Sequence, residues 1–171
     1  MSPAGETVVI APFANERAKE WPLDHFRRYI ERLLREQAEA RVLVVGTRGH
    51  RAKANALVRR FSAADVVNAC GTMGWSDLAR SIDGAASVVS NDSGVAHLAA
   101  ARGRWTLCLF ASSHSWLEWM PRGPRVVVLT RLTPCAPCDL AGQPCPNRIA
   151  CMSELDPDFA FERFRALRLA G

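Results

Sequence analysis

Ser87-Val88-Val89-Ser90-Asn91-Asp92-Ser93-Gly94-Val95-Ala96-His97-Leu98-Ala99-Ala100-Ala101 carries a strand, a tight turn and a helix in one line. The first residues form an apolar, β-branched run. Asn91-Asp92-Ser93-Gly94 is turn chemistry, and the alanine-rich remainder favours helix. Ser93 or Asp92 is placed to cap the helix start. The free backbone N–H groups of a first helical turn, at the positive end of the helix dipole, make a ready anion site. Gly94 removes a side chain where a phosphate would approach, and Ala96, Ala99, Ala100 and Ala101 let the helix lie close to its sheet. The same residues also fit an ordinary strand-to-helix junction, and His97 also fits a packed or surface histidine.

At 171 residues the chain has enough length for one domain with a full core. No apolar run approaches the roughly 20 residues that span a bilayer. Met1-Ser2-Pro3-Ala4-Gly5-Glu6 lacks a basic segment followed by an apolar one, so it reads as a lead-in and not as a signal peptide. The formal net charge of +5 suits anionic partners such as phosphates, nucleic acid or lipid headgroups. The arginines are spread along helices, at Arg27, Arg28, Arg32 and Arg35 and again at Arg163, Arg165 and Arg168. They lack the aromatic interleaving of a nucleic-acid stacking platform, and they read as a solvated face.

Working outward, Thr7-Val8-Val9-Ile10-Ala11 is a strand that Pro12 ends. A polar loop, Asn15 to Glu20, precedes a helix opened by Trp21-Pro22 with Asp24 at its positive end. Leu23, Phe26, Ile30, Leu33 and Leu34 form its buried face, and Arg27, Arg28, Glu31 and Arg35 its outer one. Strands follow at 41–46, 65–68, 105–110 and 126–129, with helices at about 52–61, from Ser76 as cap to Gly84, and from Asp156-Pro157 with Phe159, Phe161, Phe164 and Leu167. Short strands without polar alternation, separated by helices, predict a parallel sheet covered on both faces, a single Rossmann-like α/β domain over 1–171. Ligands of such sheets bind beyond the strand carboxyl ends. Three loops leave those ends and are expected to converge: 12–21, 91–94 and 111–121. Lys19 beside the 92–94 turn would make a diphosphate clamp of one ammonium and helix N-terminal amides. Alone, Lys19 also reads as a solvated loop lysine. Neither G-x-G-x-x-G nor G-x-x-x-x-G-K-[ST] is present.

The order of motifs resembles glycosyltransferase family 9, the bacterial heptosyltransferases of lipopolysaccharide core synthesis. Lys19-Glu20-Trp21-Pro22 is similar to that family's K-x-W-P, and Asn91-Asp92-Ser93-Gly94-Val95-Ala96-His97 to its N-D-[ST]-G-x-x-H. The tail Cys135-Ala136-Pro137-Cys138, Cys145-Pro146 and Cys151-Met152, followed by Asp156-Pro157, is similar as well. The resemblance implies the C-terminal, donor-binding half of a GT-B transferase, holding a nucleotide diphosphate sugar, typically ADP-heptose. It implies that Lys19 contacts phosphate or sugar, that Ser93 and Gly94 hold the diphosphate, that Asp92 meets the donor sugar and His97 the diphosphate end, with Met73 against the base and Asn15 on the phosphate loop. No cofactor is implied.

Two stretches depart from the family. Gly49-His50-Arg51 stands where an acidic residue often holds the ribose, and Phe13-Ala14-Asn15 replaces the usual Gly and Ser/Thr pattern near the phosphate. The family's N-terminal half binds the acceptor and supplies the base, so the base is expected in that missing domain and the catalytic residue here is unknown. The chain is expected to be a fragment or separately made donor-binding domain with little activity alone. It would work in the cytoplasm, with a peripheral contact to the inner membrane through its basic surface. The alternative is a non-catalytic nucleotide or sugar-phosphate binding module. Cys70 and Cys108 read as buried small hydrophobes. Cys135, Cys138, Cys145 and Cys151 lie in a loop over 135–151, and their spacing fits zinc ribbons poorly. Reduced thiols or a local disulfide are expected there ahead of a zinc site.

Overall fold

The computed structural model describes residues 6–113, 116–138 and 144–171. Six strands, β1 (Thr7–Ala11), β2 (Arg41–Val44), β3 (Val66–Asn68), β4 (Ser87–Asn91), β5 (Trp105–Leu109) and β6 (Val126–Leu129), form one sheet in the order β3-β2-β1-β4-β5-β6. Every pairing is parallel, and Ile10 stands opposite both Val44 and Val89. Helices α1 (Leu23–Glu36), α2 (Arg51–Val58), α3 (Trp75–Asp83), α4 (Gly94–Ala101) and the short α5 (Trp116–Trp119) alternate with the strands; α6 (Ala150–Ser153) and α7 (Pro157–Ala170) close the chain.

The strand sequences lack polar alternation because both faces are covered. Val8 and Ile10 pack with Val42, Val44, Val89 and Leu107 into the larger core beneath α1, α2 and α7, where Phe26, Ile30, Phe161 and Phe164 complete it. Val9 and Ala11 point the other way, onto Ile82 of α3 and Ala99 of α4. Ala96 and Ala99 are wholly buried, so the alanines of α4 do bring that helix onto the strands.

The expected elements are present, with local corrections. In α1, Tyr29 joins Phe26, Ile30 and Leu33 in the core, while Leu23 and Leu34 are only half-buried. The helix expected from Ala52 starts one residue earlier and is preceded by a 3-10 turn at Arg48–His50. Ser76 does not cap α3. Gly74 holds the N-cap position, and the Asp77 carboxylate accepts from its N–H at 3.3 Å, which leaves Ser76 inside the first turn. Asp156 does cap α7, accepting from Phe159 N at 2.8 Å, but Phe159 itself faces solvent.

Candidate functional site

The pocket lies where the sheet order reverses, between the carboxyl ends of β1 and β4, the position at which doubly wound sheets open a crevice. Two buried side chains bring its walls together. Asn91, wholly buried at the end of β4, donates from Nδ2 to Pro12 O at 2.8 Å and accepts at Oδ1 from Trp21 N at 3.0 Å. The loop after β1 is thus clamped at both ends to β4. Trp21, 1% exposed, donates from its indole to Leu155 O at 2.9 Å and anchors the same loop to the C-terminal segment. Lys19 lies inside this clamped loop, at the end of a 3-10 turn over Arg17–Lys19.

A cavity of about 810 Å³ results. All seven residues expected to hold a donor line it: Asn15, Lys19, Met73, Asp92, Ser93, Gly94 and His97. Lys19 Nζ lies 3.0 Å from Asp92 Oδ2 and 3.7 Å from Glu16 Oε1. Burial pulls the Lys19 pKa down, but the hydrogen bond and charge of Asp92, with Glu16 behind them, outweigh it and hold Lys19 above its ordinary value. Lys19 therefore stays a cation throughout the physiological range.

Ser93 occupies the N-cap position of α4 in extended conformation, φ −154°, yet its side chain makes no capping bond. The Ser93 hydroxyl instead lies 2.9 Å from the buried Ser90 hydroxyl, and Asp92 is taken by Lys19. Neither residue expected to cap α4 does so: its first turn has no side-chain cap, and Ser93, Gly94 and Val95 line the pocket. Gly94 matters for space: a Cβ there would come within 3.2 Å of the Trp75 ring.

Several wall residues were not among those expected to hold a donor. Phe13 and His50 line the cavity with their rings stacked, centroids 4.4 Å apart and planes at 21°. Gly46, Thr47 and Ala69 contribute from the ends of β2 and β3, and the exposed Trp75 from the start of α3. The third loop expected to converge, 111–121, supplies none of the lining residues among its described positions, and residues 114–115 lie outside those described. β5, which it follows, is one strand beyond the reversal point, so its loop emerges to one side.

The cysteines divide as expected except Cys151, which is not a loop residue but lies buried in α6 as part of the larger core. Cys70 and Cys108 are buried, and burial raises both thiols, Cys70 to about 11. In the tail, burial and then the nearby Cys135, Cys151 and Cys145 raise the Cys138 thiol, whereas hydrogen bonds from Thr133 and Asn147 lower Cys135. All four are free thiols, and no three His, Cys, Asp or Glu side chains among the described residues are arranged to hold a metal ion. Residues 139–143 of this loop lie outside the described set.

The chain's relatives are found by family and by fold. No curated protein matches its sequence. The structure superposes on E. coli ADP-heptose LPS heptosyltransferase II with a TM-score of 0.79 at 22% identity, covering 99% of this chain and 48% of that one. It superposes on E. coli heptosyltransferase WaaC with ADP with a TM-score of 0.71 at 23% identity, covering 98% and 46%. A family 9 glycosyl transferase from Veillonella parvula gives a TM-score of 0.79 at 15% identity, covering 100% and 48%. The chain thus spans a little under half the length of these structures. The family model of glycosyltransferase family 9 (heptosyltransferase) matches residues 2–147, most of the sequence, and the chain belongs to that family.

Proposed function

We propose that this chain is the C-terminal, donor-binding half of a family 9 glycosyltransferase and that its pocket holds a nucleotide diphosphate sugar, ADP-heptose being the leading candidate, for transfer of the sugar to lipopolysaccharide core. The observation that carries this reading is the convergence of Lys19, Asp92, Ser93, Gly94 and His97, with Asn15 and Met73, on one cavity at the sheet's reversal point. One solved relative, E. coli heptosyltransferase WaaC, is described with ADP in one structure and with ADP-2-deoxy-2-fluoro heptose in another.

The chemistry follows from charge. Transfer leaves a nucleoside diphosphate as the departing group, so negative charge grows on the phosphate oxygens as the sugar is released. The uncapped first turn of α4 and the Lys19 cation are fixed in place to stabilise that charge, and preorganised donors in a partly buried site do so at little reorganisation cost. Asp92 orients Lys19 and presents its remaining oxygen to the sugar. The reaction also needs a base within hydrogen-bond reach of the acceptor hydroxyl. Asp92 is the sole carboxylate among the described lining residues, and it is already paired with Lys19. By family resemblance, the acceptor-binding half of such transferases is the proposed source of that base. The net charge of +5 suits a peripheral contact with the anionic membrane where that acceptor resides. Among the described residues no helix is long and apolar enough to cross a membrane.

A second reading, a nucleotide-binding module without transfer chemistry, draws on the pairing of Asp92, the sole carboxylate among the described lining residues, with Lys19. Calorimetric titration with ADP, GDP and UDP tests the donor site. Selective binding of one nucleotide, weakened about tenfold or more in Lys19→Ala, is expected from the loss of a charge-assisted contact. Undiminished affinity in that variant would refute the clamp. Sugar transfer after addition of an acceptor-binding half separates the enzyme from the module.

A further inference from the structure

In doubly wound sheets an acidic side chain beyond the second strand commonly takes the ribose hydroxyls of a bound nucleotide. This pocket offers none there. Its one described carboxylate, Asp92, sits on the β4 side and is held by Lys19. The loop after β2 presents His50 instead, and three features fix that ring in place. One face stacks on Phe13. The Nδ1 edge accepts from Thr47 N–H at 3.2 Å, with the Thr47 hydroxyl 3.1 Å from the same nitrogen. Beneath both rings is Gly46, where a Cβ would lie 2.9 Å from Phe13 Cδ2 and 3.1 Å from His50 Nδ1, so a larger residue would displace the pair.

Because Nδ1 is used as an acceptor, the proton of the neutral ring is assigned to Nε2. Phe13 is 6% exposed and leaves little surface for a ligand, whereas His50 is half-buried and keeps contact surface toward the cavity. His50 also borders a second hollow of about 540 Å³ lined by Arg17, Glu20 and Lys53, and with Ala14 and Asn15 it lines both.

We propose that His50, seated on Phe13, is the nucleoside-recognition residue of this donor site, acting through its open ring surface and a single Nε2–H donor where a carboxylate would otherwise grip the ribose. The inference rests on the donor-site reading above and deepens it. A carboxylate accepts from both hydroxyls of a diol through charged hydrogen bonds, whereas an imidazole N–H donates once, to one oxygen. Loss of one neutral hydrogen bond changes affinity a few-fold, and loss of one to a charged group changes it more than tenfold. The site is therefore tolerant of the ribose 2′-hydroxyl and depends on ring contact for its hold on the nucleoside.

The test is calorimetric titration of the 171-residue chain with ADP and 2′-deoxy-ADP, in wild type and in His50→Glu, His50→Ala and His50→Phe, with melting curves to verify folding. The wild type is expected to bind the two ligands within about fivefold of each other, the difference of one neutral hydrogen bond. His50→Glu is expected to favour ADP by about tenfold or more, because the restored carboxylate meets the hydroxyls. His50→Ala is expected to weaken both ligands by about fivefold or more, as removal of a stacking surface does, and His50→Phe to recover most of that loss. A wild-type preference for ADP beyond that fivefold range, or unchanged binding in His50→Ala, overturns the inference while leaving a donor site that Lys19→Ala still weakens. If no nucleotide binds the wild type, the donor-site reading falls and the inference with it.

Discussion

At the scale of single residues, the site depends on one side chain that need not touch a ligand. Asn91 satisfies two backbone groups of the loop after β1, at Pro12 and Trp21, from a wholly buried position. Replacing it by alanine leaves a buried carbonyl and a buried N–H without partners, so Asn91→Ala is expected to lower unfolding free energy by about 2–4 kcal/mol in a urea titration. The same variant should weaken nucleotide binding, because the loop that carries Lys19 is no longer held against Asp92; full affinity in a folded Asn91→Ala protein would exclude that coupling. The turn at 91–94 was legible in the sequence because Asn, Asp, Ser and Gly are each turn formers with a local reason to be there. The role of Asn91 was not, since its partners stand 70 and 79 residues away and no spacing rule reaches that far. Phe13 and His50 show the same limit. Each stretch stands out as a departure from the family pattern, but only the fold reveals that the two departures touch.

At the scale of elements, α1 and α7 explain where much of the arginine goes. Arg28 and Arg32 on α1 reach Asp158 on α7, Arg32 also meets Glu162, and Arg165 of α7 returns to Glu36 of α1. The sequence places these arginines on a solvated face; Arg28 and Arg165 are exposed, and Arg32 is half-buried. Their partners lie on another helix, which helical periodicity within one segment does not disclose. Exposed pairs of this kind each contribute little. The packing of Phe161 and Phe164 against Tyr29 and Leu33 and the cap at Asp156 do more to fix α7. Asp156→Ala is expected to destabilise the protein by about 1 kcal/mol, the usual effect of losing an N-cap acceptor, read as a lowered denaturation midpoint at unchanged slope. The cap of α7 was predicted correctly because Asp-Pro is a local signal. The cap of α3 was not, because Gly74 leaves the capping to a carboxylate three residues on.

For the molecule as a whole, the parallel three-layer architecture was readable from the strands' unbroken apolar character, which requires cover on both faces. Which loops meet was only partly readable: the loops after β1 and β4 do, and among the described residues none of the loop after β5 joins them. The fold also sets a pH response. His25, in the first turn of α1 against the Trp21 ring, is held below its ordinary 6.5 first by burial and then by Arg28, with Asp24, Asp156 and the Leu155 carbonyl opposing. A base with a lowered folded-state pKa is protonated first in the unfolded chain. Stability is accordingly at its full value above about pH 6.5 and declines as pH falls below it. Melting temperatures at pH 7.5 and 5.5 should fall with acid, and less steeply in His25→Gln; equal slopes would remove His25 as the cause.

The Asn91 clamp has a kinetic consequence. Its two hydrogen bonds close chain loops of 70 and 79 residues, so they form only after β1 and β4 have paired across three intervening helices and two intervening strands. Contacts of such long sequence separation are slow to form, because their closure entropy must be met before they return any stabilisation. Binding competence is therefore acquired late in folding, and a chain still emerging from synthesis cannot hold a nucleotide before the β4 segment is available.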